Sequence, residues 1–177
     1  MKYLRRLIWY VGTRLLILLC VLGLMTTAFY FAMNATNIYI IIKDGMARRA
    51  QVIMMGADES LTPYFSASYL DRDAALQEAL SGQSPYQNYY SITGFDHRIS
   101  LDSFWCWPWE DTARATVTER IPAIDGKLKA SAREAAAAAG QGAAPKWQTA
   151  QYTVLLSREN GQWHIRNLAL SRVIPNE

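Results

Sequence analysis

Cysteine is nearly missing from this sequence: Cys20 and Cys106 are the only two in 177 residues. Cys20 lies inside an apolar run, so the rest of the chain holds one thiol and no disulfide framework of its own. Cys106 is then either a cross-link between two chains or a buried, inert thiol. Histidine is equally scarce, with His97 and His164 alone. No His or Cys grouping has metal-ligand spacing, so no metal and no cofactor are expected. The absence of a glycine-rich phosphate loop and of a nucleophile elbow removes the usual nucleotide-binding and hydrolase signatures. No acidic residue precedes Asp44, and no charge of either sign occurs from Leu15 to Met33.

What is present begins at that uncharged run. Lys2, Arg5, Arg6 and Arg14 precede it. Basic flanks mark the cytoplasmic side of a span, and about 20 apolar residues suffice to cross the hydrocarbon. The expected organisation is a cytoplasmic basic tail and the start of the apolar run over 1–14, a transmembrane helix over 15–35, and an extracytoplasmic α+β domain over 36–177. This places the chain in a bacterial plasma membrane as a single-pass protein with a cytoplasmic N-terminus. Membrane lipid is its first partner, through the anchor. A cleaved signal peptide competes, with Thr26-Thr27-Ala28 as a weak cleavage site, but the apolar run continues past it and exceeds a usual signal core. The span carries no charge that would mark a transport path. The formal charge of +3 is a topology signal: four of the 18 basic residues precede the end of the span, and none of the 15 acidic ones do. No basic stripe interleaved with aromatics points to nucleic acid.

No linker separates span from domain. Tyr39, Ile42, Met46, Ala50 and Ile53 recur at helical spacing, so the span is expected to run on into the domain's first helix. Gly45 weakens that helix and marks a candidate bend. Thr62-Pro63 reads as a helix start, with Tyr64, Phe65 and Tyr69 buried. Asp71 or Asp73 caps a further helix carrying Leu76 and Leu80. Tyr89 to Ile92 reads as extended. From His97 the residues alternate, placing His97, Ile99, Leu101, Ser103, Trp105 and Trp107 on one face and Phe104 and Cys106 on the other. Pro108 ends that strand. The next has Ala113, Ala115, Val117, Glu119 and Ile121 inward, with Arg114, Thr116, Thr118 and Arg120 facing solvent. Residues 127–146 form an Ala/Gly-rich flexible connection. Asn160-Gly161 signals a closing hairpin with a two- or three-residue loop.

Helices followed by an antiparallel meander describe an α+β domain of about three helices packed on a curved antiparallel sheet. The segments Leu61-Thr-Pro-Tyr-Phe, Tyr69-Leu70 and Tyr152 to Leu168 give it a resemblance to the nuclear transport factor 2-like superfamily. The resemblance implies a cone-shaped domain with Trp163 and Ile165 packed on its helical side. The build is also similar to that of inner-membrane scaffold subunits of type IV secretion and conjugation systems.

Enzymes of that superfamily keep a carboxylate or histidine with a tyrosine inside the cone, so the resemblance makes His97, Glu119, Tyr89 and Tyr90 the candidate pocket. Asp96 points away from His97 in a regular strand and cannot pair with it. Glu119 near a strand end and His97 at an edge have a plainer reading as ordinary structural residues, and no catalytic residue is assigned. Trp105 and Trp107 either extend the core face or join Trp109 at a contact surface. Trp107 and Trp109 are the candidate contacts for a protein partner or the membrane surface. The expected function is a non-enzymatic interaction or assembly module of a bacterial envelope complex of secretion, conjugation or sporulation type, with other envelope proteins or further copies of itself as partners. The alternative is a small-ligand-binding protein or enzyme using a pocket on the concave sheet face.

Overall fold

The computed structural model describes residues 2–138 and 143–175. It is an α+β protein led by one helix, α1, running unbroken from Lys2 to Met55. At 1.5 Å per residue its 54 residues extend about 80 Å. The side chains described before Asn34 are almost all exposed, and from Asn34 onward one side of the helix packs into the domain. The exposed part is apolar and long enough to cross a membrane. No joint separates it from the core helix, because no proline occurs before Pro63 to interrupt the hydrogen-bond ladder.

The buried stripe of α1 includes Ile38, Ile42, Met46, Ala50 and Ile53. The helix passes through Gly45 without a break. A side chain there would meet the Cβ of Tyr64 at 2.9 Å and Ile165 at 3.3 Å. Gly45 is therefore where the chain crosses α1 closely. Gly45→Ala is expected to destabilise the fold by about 1–2 kcal/mol, because overpacking outweighs the gain in helix propensity. Urea unfolding of the full chain in detergent checks this.

Three short helices follow: α2 (Ala67–Leu70), α3 (Ala74–Leu80) and α4 (Pro85–Tyr89). The helix expected at Thr62-Pro63 is a single turn instead. Phe65 pairs with Ile165 in an isolated parallel bridge, and Ile165 N–H donates to the Tyr64 carbonyl at 2.7 Å. This lateral pairing takes the backbone groups a helix would need. Asp73, not Asp71, caps α3. Leu76 is buried, whereas Leu80 is exposed.

The strands form two antiparallel sheets. β1 (Tyr90–Phe95) pairs with β4 (Ile124–Leu128), and β2 (Arg98–Trp105), β3 (Thr112–Arg120), β5 (Ala150–Glu159) and β6 (Gln162–Val173) lie side by side in that order. The single curved sheet expected from sequence is thus divided. β4 occupies the start of the stretch read as a flexible connection, which then carries α5 (Arg133–Ala138). Residues 139–142 of that stretch lie outside the described residues. The closing hairpin resolves to a two-residue loop: Glu159 pairs with Gln162, and Asn160 and Gly161 both have positive φ, 51° and 82°. This is the tight turn that matches strand twist.

A bulge at Leu101/Ser103 changes the reading of β2. One extra residue reverses the facing of every side chain beyond it. Ile99 and Leu101 face inward as expected, but Phe104 now faces inward opposite Ala115, and Trp105 faces outward opposite Arg114. Strict alternation puts Trp105 on the face of Ile99 and Leu101, and the bulge removes it from that face; of its two readings the exposed one holds.

Candidate functional site

Among the described residues, Glu119 and Asp73 are the buried carboxylates, and each gathers a polar cluster. The first joins β3, the chain just before β2 and the chain before β5. Glu119 follows the inward alternation of β3 and is 0% exposed. Its Oε1 lies 3.0 Å from Nε2 of His97, whose side chain is 7% exposed. Its Oε2 accepts from the indole N–H of Trp147 at 3.1 Å. Asp96 is turned away and takes the guanidinium of Arg98 at 2.9 Å.

The second group joins α1 to the start of α3. Arg49 donates to both oxygens of Asp73, at 2.6 and 3.0 Å. The hydroxyl of Tyr69 donates to the same carboxylate at 2.9 Å. Asp73 also accepts from the backbone of Ala75 and Leu76 as the α3 cap. Burial pulls the Asp73 carboxyl upward, but the bonds from Arg49 and Tyr69 outweigh it and hold it below the usual carboxylate range. Burial, with the negative charge of Asp73, pushes the Tyr69 phenol upward even though Arg49 opposes it. Arg49 was legible in principle, lying three residues beyond Met46 and four before Ile53 on the buried stripe. Its charge hides it from a reading that counts apolar residues alone.

The candidate residues do not converge on one cavity. His97 and Glu119 meet each other, but neither lines the clefts of about 690, 290 and 500 Å³. Tyr90 is buried, and its hydroxyl donates to the carbonyl of Ala143 at 2.7 Å. It lines the 690 Å³ cleft with Arg120, Lys146 and Trp147. Tyr89 is half-buried and its carbonyl accepts from Lys129 N–H, so it joins neither group through that contact. Trp147 is the residue that sequence reasoning missed. It touches both the Glu119 carboxylate and the wide cleft, and its ring packs against Tyr86 with centroids 6.1 Å apart. Among the described residues, no group of three His, Cys, Asp or Glu side chains is placed to hold a metal ion.

The other candidates lie on the surface between β2 and β3. Trp105 stacks edge-on against Trp107, centroids 5.2 Å apart, and Trp107 stacks on Trp109 at 5.1 Å. The three are 59%, 40% and 73% exposed. Cys106 between them is buried, and burial pushes its thiol upward, away from the reactive thiolate. Phe65, Trp163 and Ile165 belong with the inner stripe of α1 to one buried core. Phe65 stacks on Tyr69 at 5.1 Å.

Comparison with protein-family models, curated proteins and solved structures finds no match to this chain.

Proposed function

We propose that the chain is a non-enzymatic interaction module, anchored in a bacterial plasma membrane by α1, that contributes protein–protein contacts to an envelope complex of secretion, conjugation or sporulation type. Its domain is read as a cone-shaped, extracytoplasmic relative of the nuclear transport factor 2-like superfamily. The observation that carries the reading is the filled interior. Phe65, Trp163 and Ile165 are buried in one apolar core with the inner stripe of α1, which supports a packed interaction domain over a hollow one. The His97–Glu119 pair is spent on holding the chain before β2 and Trp147 to β3. A general base needs reach to a substrate proton, and neither residue lines the clefts described above.

Crosslinking in native membranes followed by co-purification tests the proposal. The expected result is a discrete set of envelope proteins, or further copies of the chain, captured in constant ratio. Recovery of the chain alone, under conditions that preserve known complexes, overturns it.

The 690 Å³ cleft supports a second reading, that of a small-ligand carrier. Its size lies within the common range for ligand pockets, and Arg120 and Lys146 line it.

A further inference from the structure

The outer end of the apolar part of α1 and the tryptophan turn lie at the same level. Phe31 of α1 packs on Phe104 of β2, ring centroids 5.3 Å apart. Arg158, on the closing hairpin, donates to Oδ1 of Asn34 at 3.0 Å, and its backbone N–H donates to Asp111 at 2.8 Å. The same guanidinium lies over the ring of Trp163, 4.6 Å from its centroid. These contacts tie the β2–β3 turn and the hairpin tip to the helix at residues 31–34. Burial of α1 side chains begins at Asn34, three residues beyond Phe31.

From that position we propose that Trp105, Trp107 and Trp109 insert into the headgroup layer of the leaflet from which α1 emerges, giving the domain a second hold on the bilayer. The proposal rests on the reading that α1 spans a membrane. Exposed Trp9 and Tyr10 lie near the other end of the apolar stretch. The rise from Arg14 to Asn34 is about 30 Å, the thickness of the hydrocarbon, so Arg14 with the nearby Trp9 and Tyr10 falls at one interface and the tryptophan turn at the other. Tryptophan is enriched there because its ring is apolar and its N–H stays hydrated. The charges around the turn are mixed, with Glu110 and Asp111 in it and Arg114 opposite Trp105. The surface therefore suits a zwitterionic headgroup layer and has no need of anionic lipid. A protein covering these rings would have to reach them at the foot of the domain, beside the bare helix.

The test uses the full chain carrying Trp9→Phe, reconstituted in phosphatidylcholine vesicles with bromine placed either near the headgroup or near the chain terminus. Shallow bromine is expected to reduce tryptophan emission about twofold, with deep bromine far weaker. The added changes Trp105→Ser, Trp107→Ser and Trp109→Ser should abolish most of that quenching. Trp109→Ser alone, at the most exposed of the three positions, guards against misfolding and should abolish part of it. Extraction of the wild-type chain by alkaline carbonate overturns the spanning reading and the proposal with it. A retained chain whose emission ignores shallow bromine but falls with aqueous acrylamide overturns the proposal alone. Protection of the same rings from acrylamide only in native membranes would assign this face to a protein instead.

Discussion

Replacing Asp73 with alanine is expected to lower the unfolding free energy by about 3–5 kcal/mol, the usual cost of stranding one member of a buried ion pair. The carboxylate has four tasks at once. It pairs with Nε and Nη2 of Arg49, accepts from the Tyr69 hydroxyl, caps α3 and thereby fixes the short helices against α1. Its loss leaves Arg49 facing α3 with no counter-charge among these contacts and Tyr69 without that acceptor. Asparagine should be milder, because it preserves the cap and one acceptor. The sign of the pH dependence follows from the depressed carboxyl. Its contribution is complete above the unfolded value of about 4 and is lost as pH falls through the lower folded value. Wild-type stability should therefore fall with acidification below about pH 4 more steeply than that of Asp73→Asn. Urea titrations of both proteins in detergent at several pH values measure the difference. Equal slopes would show that the pair does not hold the fold.

Phe65→Ala is expected to cost a similar amount, about 3–5 kcal/mol, by opening a cavity that α1 and β6 cannot close. Phe65 is fully buried, stacks on Tyr69, and lies close to Gly45, whose added Cβ would sit 3.4 Å from its ring. The backbone of its neighbours is bonded to Ile165 on both sides, which prevents the segment from collapsing inward. The same denaturation series measures the loss. A change below about 1 kcal/mol would mean the interior is loosely packed, and the argument against a substrate cavity would lose its footing.

Periodicity alone made several elements readable. The stripe Ile42, Met46, Ala50, Ile53 required a helix, and α1 buries it. The alternation from Ala113 to Glu119 required a strand with Glu119 inward, and Asn160-Gly161 required the tight hairpin. Three features escaped for identifiable reasons. The bulge in β2 inserts one residue without any glycine or proline to signal it, so simple alternation puts Trp105 on the face of Ile99 and the fold does not. β4 lies in Ile124–Leu128, too short and too polar to show alternation, and its partner β1 supplies the pairing that makes it a strand. The turn at Thr62-Pro63 has local helix chemistry that loses to a bridge with a residue a hundred positions away. The candidate site divides along the same line. Glu119 could be placed inward by parity. Its partners His97 and Trp147 come together only through the register of the folded chain, and so does the pairing of Arg49 with Asp73.

The absence of any joint in α1 has a mechanical consequence. A rod without a swivel conveys twist as well as position, so rotation of the bare apolar segment about its own axis would swing the four-stranded sheet through the same angle. Such a domain has no freedom to search for its neighbours. If the segment crosses a bilayer as proposed, each face of the domain keeps a fixed bearing to it, and whatever engaged such a face would brake the rotation of the segment below.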